Sequence, residues 1–153
     1  MTLSTLHTGS RRWALAEGYI PSWSNGPEPE LESHETCCML NTNDEDAAVT
    51  LTLYFEDREP VGPYQVTVPA RRSLHLRFND LKEPEAVPRG VAFATVIDSD
   101  RPIVVQHTRL DSRQAANSIM TTIAHPLSAP GWARPRSGRC RCRGVHTPDT
   151  PRA

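Results

Sequence analysis

Residues 104–114 read VVQHTRLDSRQ, and they place a histidine, two arginines and an aspartate at the end of an apolar run. At a period of two, Ile103, Val105, His107, Arg109 and Asp111 share one face of a strand, and Val104, Gln106, Thr108 and Leu110 share the other. Successive members of a face lie about 6.5–7 Å apart. One face therefore begins greasy and ends in an imidazole, a guanidinium and a carboxylate. Such a row suits three kinds of work. It can be an ion-paired sheet end. It can floor a polar ligand pocket, in which arginine supplies a forked donor and histidine a tunable one. It can also serve catalysis, although a His–Asp pair acts on an acyl group only beside a placed nucleophile, which this stretch does not supply.

Two further clusters carry chemistry. In SHETCC, Ser33 and Glu35 share one face and His34 and Thr36 the other. In WALAEGY, strict alternation puts Trp13, Leu15 and Glu17 together. An indole beside a carboxylate suits a hydroxyl-rich ring, because the aromatic covers the C–H face while the carboxylate takes hydroxyls. The alternative for Trp13 is plain core packing. His34, Glu35 and His107 could form a mixed nitrogen and oxygen metal site, but no ligand spacing marks one. In VPARRS, Arg71 and Arg72 face opposite ways, so one is solvated and the other can meet an acidic group or a neighbouring subunit. The ligand-facing candidates are thus Trp13, Glu17, His34, Glu35, Arg72, His107, Arg109 and Asp111. No cofactor signature accompanies them.

These side chains must be carried by strands, because helical periodicity is nearly absent. AAVTLTLYF alternates apolar Ala47, Val49, Leu51, Leu53 and Phe55 with Ala48, Thr50, Thr52 and Tyr54. YQVTV, SLHLRF, FATVI, PIVVQHTRL, WALAEGYI, HETCCMLN and NSIMTTIA bring the expected total to about eight strands. DSDRP has turn chemistry and is expected to separate FATVI from PIVVQHTRL. NTNDED is a short polar turn, so the strands flanking it are expected to form a hairpin. PSWSNGPEPE is a loop held extended by its prolines. In LKEPEAVPRG, Pro84 and Pro88 limit any helix to a turn. Many short strands joined by such turns predict an antiparallel all-β sandwich or barrel.

Composition bounds what the fold can do. The chain of 153 residues has room for one domain with a real core. It has no apolar run near the roughly 18 residues that cross a bilayer, and no apolar stretch follows a basic start, so a cytoplasmic location without a secretory signal is expected. Through residue 125 there are 11 basic side chains against 17 acidic ones; beyond it, six arginines face one aspartate. An acidic body argues against nucleic-acid binding by the folded part. Residues 126–153 are rich in proline and arginine and have almost nothing to bury, so they are expected to be disordered; residues 1–10 are expected to be a flexible lead-in. Cys37 and Cys38 read as small strand residues. Cys140 and Cys142 form C-x-C, and zinc there would need two further ligands, with His146 one candidate.

The stretches WALAEGYIP, NGPEPE, SHETCCMLN, YFEDREPVGPYQVTVPARRSLHLRFNDL and PIVVQHTRLDSRQAANS closely resemble the sensory rhodopsin transducer family. The resemblance runs from about Trp13 to His125, and nothing from Pro126 onward has a counterpart in it. It implies a β-sandwich subunit of jelly-roll type over residues 11–125, assembled as a homotetramer in the cytoplasm. The family's namesake binds the cytoplasmic side of a membrane-embedded rhodopsin, and the wider family looks like small-molecule-binding domains with sugar-like ligands suspected. The expected function is therefore non-enzymatic signal transduction or ligand sensing. The alternative is an enzyme acting on a small carbohydrate-like substrate with Glu35 or His107 as acid/base.

Overall fold

The computed structural model describes residues 8–127. The expectations for residues 1–7 and 128–153, including Cys140, Cys142 and His146, lie outside the described residues. Eight strands run in chain order: β1 (Ser10–Tyr19), β2 (His34–Asn41), β3 (Ala47–Tyr54), β4 (Val61–Val68), β5 (Arg72–Arg77), β6 (Ala92–Asp111), β7 (Ser118–Ile123) and β8 (His125–Pro126). A single 3₁₀ turn, Phe78–Asp80, follows β5. Every pairing is antiparallel. One layer is ordered β4-β3-β6-β1-β8, and the second is built of β5, β2, the far half of β6, and β7. This is the expected all-β sandwich.

Alternation explains the layers. Val49, Leu51 and Leu53 of β3 face inward with Tyr64 and Val68 of β4, Trp13 and Leu15 of β1, and Phe93 and Ile97 of β6. Cys37 and Met39 of β2, with Ile103 and Val105 of β6, meet them from the second layer. Phe78 packs its ring 5.4 Å from that of Phe93. Each fully buried side chain of this kind contributes roughly 1.5–3 kcal/mol.

Strand β6 corrects two expectations. FATVI and PIVVQHTRL are not separate strands; they are halves of one 20-residue strand. Its first half pairs with β1 and β3, its second with β2 and β7. DSDRP is the corner at which β6 passes between layers. Opposite β1, the pairing jumps from Asp98 to Ile103 while β1 advances only from Arg12 to Ser10. The polar side chains tie that corner to the 43–48 segment. Asp100 accepts the Ala48 N–H at 2.8 Å, and Arg101 Nε donates to the Asp46 carbonyl at 3.0 Å. Turn chemistry was present, but it bends the strand rather than reversing it.

The expected β2–β3 hairpin is absent. β2 pairs with β5 and β6, whereas β3 pairs with β4 and β6. NTNDED instead carries the chain from one layer to the other. The reason is Asn41, fully buried, whose Nδ2 donates to the carbonyls of Glu45 and Val68, both at 2.9 Å, and whose Oδ1 accepts the Asn43 N–H at 2.9 Å.

A further correction concerns β1. Leu15 pairs with Thr95 and Gly18 with Phe93, so β1 carries one extra residue between them. This bulge breaks the alternation: Trp13 and Leu15 stay inside, Glu17 turns out to solvent, and Gly18 takes the next inward place. A Cβ on Gly18 would lie 2.5 Å from the Phe93 ring. Gly18→Ala should therefore cost about 1–3 kcal/mol through overpacking, read as a lower urea midpoint. An unchanged midpoint would show that Phe93 has room to move.

Candidate functional site

Glu35 lies on β2 directly across the ladder from Arg109 of β6, and His107 is two residues back along β6, opposite Cys37. Cross-strand neighbours of this kind have Cβ atoms about 4.5–5.5 Å apart, close enough for side chains to bond. The Glu35 side chain is fully buried, and both of its oxygens are engaged. Oε1 accepts the Tyr19 backbone N–H at 2.7 Å and Arg109 Nε at 2.5 Å, and Oε2 bonds His107 Nε2. The other edge of the Arg109 guanidinium donates from Nη2 to Glu17 at 2.6 Å. The bulge in β1 is what delivers Glu17 to this position. Tyr19 and Glu17 belong to the first layer and Glu35 to the second, so the cluster clamps the two layers together.

Around Glu35 the backbone is fixed by Asn79 of the 3₁₀ turn, which accepts the Glu35 N–H at 3.4 Å and donates to the Ser33 carbonyl at 3.1 Å. Burial pulls the Arg109 pKa down, but hydrogen bonds and charge from Glu17 and Glu35 outweigh it, and the net direction is up. The guanidinium stays charged. The result is a chain of bonded side chains, Glu17–Arg109–Glu35–His107, wet at Glu17 (side chain 62% exposed) and dry at His107 (4% exposed). Cys37, next to His107 in the ladder register, is no nucleophile. Burial, with the neighbouring Cys38 adding to it, pushes its thiol up to about 12.

Four of the candidate residues stay outside this cluster. Trp13 is 5% exposed, packs in the core, and gives its indole N–H to the Ser10 carbonyl at 3.0 Å. The bulge separates it from Glu17, so the indole-beside-carboxylate arrangement does not form there. His34 faces away from Glu35 and bonds the Glu32 carbonyl through Nδ1, so His34, Glu35 and His107 do not converge. Among the described residues, no three His, Cys, Asp or Glu side chains are grouped to hold a metal. Arg72 is exposed and donates to the Arg71 carbonyl, while Arg71 lies 3.6 Å from Asp44 at the surface.

Asp111 leaves the row for a different partner. Arg113 holds it by four bonds, its backbone N–H to Oδ1 at 3.1 Å, Nε to both oxygens at 3.0 and 3.1 Å, and Nη2 to Oδ2 at 2.6 Å. The hydrogen bond from Arg113 holds the Asp111 carboxyl below its ordinary value. These two side chains open onto a surface cleft with Trp23, which sequence reasoning passed over. A signal was present: Trp23 stands in PSWSNG, a proline- and serine-rich loop with no apolar partner at strand spacing, so it has no face of a strand to bury it.

Comparison with known proteins follows this geometry. The family model described as Anabaena sensory rhodopsin transducer matches residues 8–126. Among solved structures, the Anabaena sensory rhodopsin transducer is 58% identical, with a TM-score of 0.61, over 67% of this chain and 100% of that one. The crystal structure of Thermotoga maritima 1070 is 37% identical, with a TM-score of 0.68, over 78% of this chain and 96% of that one. No curated protein matches the chain.

Proposed function

Because the chain belongs to the Anabaena sensory rhodopsin transducer family, we propose that it is a non-enzymatic, cytoplasmic signal transducer. It works by binding: a small hydroxyl-rich metabolite as ligand, and the cytoplasmic side of a rhodopsin as membrane partner. The observation that carries the non-enzymatic reading is the state of Glu35. A general acid or base must reach the proton it moves. Glu35 is fully buried, both oxygens are bonded, and His107 beside it is nearly as buried. The group best typed for acid/base work is built into the fold instead. No helix among the described residues is long and apolar enough to cross a membrane.

The test is a set of thermal melts with neutral sugars, organic acids and nucleotides, followed by NMR of each stabilising compound. A ligand that binds only the folded state raises the melting point by mass action. At least one sugar should do so and be recovered unchanged. Conversion of that sugar to a product would favour the enzyme reading and sink this one.

Assembly as a homotetramer belongs to the same reading. All six residues of β7 are exposed, and Ile119 (74%) and Ile123 (72%) lie on the same face of that edge strand. Exposed apolar edges of this kind invite a partner strand. Light scattering should give about four times 17.0 kDa for the full chain, and Ile123→Lys should shift it to smaller species. A monomeric wild type at micromolar concentration would remove the tetramer.

A further inference from the structure

We propose that residues 132–136, WARPR, dock on the outer face of the first layer, in a trough over β6 between β1 and β3, so that the chain's own tail covers this surface. β6 lies between β1 and β3 in that layer. Its side chains along the trough include the small Ala92 and Ala94, and Ala94 sits directly opposite Tyr54 of β3. Ala16 of β1 and the rings of Phe55 and Phe93 complete the apolar lining. The trough holds about 300 Å³, the bottom of the range for small-molecule sites, so it suits side chains laid across a sheet better than an enclosed ligand. No element among the described residues covers it: Ala16 and Ala92 are exposed, and Tyr54 is 41% exposed.

Its rim is acidic. Glu17 and Glu56 line it, and Asp57 and Glu59 follow, both exposed. Arg58, the base in that turn, is already engaged. It pairs with Glu85 at 3.0 Å and lies 3.9 Å from the centre of the Phe55 ring. Glu17 gives Oε1 to Arg109 and stays mostly exposed, which leaves Oε2 for a second guanidinium. An alanine floor, an aromatic wall and carboxylates at the edge call for a segment that combines arginine with an aromatic side chain.

The chain carries such a segment within reach. The six arginines beyond residue 125 face one aspartate, against 17 acidic and 11 basic side chains before it. The chain leaves the sandwich as β8, on the edge of β1 and in the same layer as the trough. The Leu127 N–H bonds the Arg12 carbonyl at 2.8 Å. From Arg12, Ala16 is four residues along β1, about 13 Å. Trp132 is five residues past Leu127 and Arg136 nine, spans of up to about 17 and 31 Å. Pro130-Gly131 has the chemistry of a turn, which the return path needs. Pro135 favours an extended Arg134, and an extended chain puts Arg134 and Arg136 on one face. The tail has almost nothing to bury against itself. The trough offers Trp132 an apolar seat and offers the arginines their carboxylates.

The experiment records backbone amide resonances of the full chain, comparing wild type with Trp132→Ala and with Arg134→Glu/Arg136→Glu. The amides of residues 16–18, 54–56 and 92–94 should shift in both variants. Raising salt from about 50 to about 500 mM should move the wild-type resonances the same way, because exposed charges are screened. Glu56→Lys should reproduce the shift, and combining it with the double tail variant should restore the wild-type pattern in part. Glu56 is exposed, so its variant should keep the fold. Trypsin gives a second readout: cleavage after Arg136 should be about fivefold faster or more in Glu56→Lys than in wild type, with cleavage after Arg152 unchanged. No shift at these amides in either tail variant would overturn the proposal. Shifts centred instead on Asp44, Glu45 and Asp46 would overturn the site. Shifts that vanish on dilution would assign the trough to the tail of a second copy and overturn docking by the chain's own.

Discussion

Glu35→Ala should lower the free energy of unfolding by about 3–5 kcal/mol, the usual cost of removing one partner from a buried charge pair. The alanine leaves the Tyr19 N–H, His107 Nε2 and Arg109 Nε facing a cavity where two oxygens had been. Each lost acceptor adds its own desolvation cost. Glu35→Gln should lose much less, because its carbonyl can still accept from Tyr19 and Arg109. Replacing Glu35, His107 and Arg109 together by leucine should also cost less than the sum of the single changes, since no charge is then stranded. Urea denaturation of these variants, together with the three single changes to leucine, measures this directly. A loss below about 1 kcal/mol for Glu35→Ala would mean that water reaches the carboxylate, and the sealed-cluster account would fall. Arg109→Ala removes the other partner of the same buried pair and should also unfold at lower urea.

The inward side of this cluster was legible in the sequence. His107 and Arg109 follow Ile103 and Val105 at a period of two, and Ser33 and Glu35 share one face of SHETCC. β2 and β6 keep regular registers there, so alternation holds. Glu17 reached the cluster for a reason the sequence did not display. It was expected beside Trp13, and a single extra residue in β1 turned it toward Arg109 instead. A bulge changes which face every later residue occupies, and it leaves no mark in a pattern of apolar residues. Asp111 shows the complementary failure. Strand spacing predicted its face, but a bidentate partner two residues on decided its direction. The corner in β6 and the missing β2–β3 hairpin share one cause. Local turn chemistry in DSDRP and NTNDED reports that the chain bends, not which strand it meets afterwards. That choice is made by side chains far apart in sequence, such as Asp100 with Ala48 and Asn41 with Val68.

Asn41 is where that choice can be tested. Asn41→Leu should destabilise the protein by about 3–4 kcal/mol, even though leucine fills a similar volume. Asn41 shows no exposed surface, and its amide group does what backbone pairing does elsewhere. Its Nδ2 holds the Glu45 and Val68 carbonyls, and its Oδ1 holds both the N–H and the side-chain amide of Asn43. Asn43 in turn donates to the Pro102 carbonyl at the β6 corner, at 2.9 Å. One buried side chain therefore joins the end of β2, the crossing to β3, the end of β4 and the corner of the shared strand. Leucine would leave several of these groups without partners, at roughly 1–3 kcal/mol for each one that water cannot reach. Asn41→Asp keeps an acceptor for Asn43 but turns a charged oxygen toward two carbonyls, so it should be no better than leucine. Asn41→Ala admits water to the gap and should fall between wild type and leucine. Hydrogen exchange gives a second readout. In Asn41→Leu the amides of residues 43–48 should lose protection before those of β3 and β4, because the crossing opens first. If Asn41→Leu unfolds at the wild-type urea concentration, the crossing is held by strand pairing alone, and the amide is not what keeps β2 and β3 in separate layers.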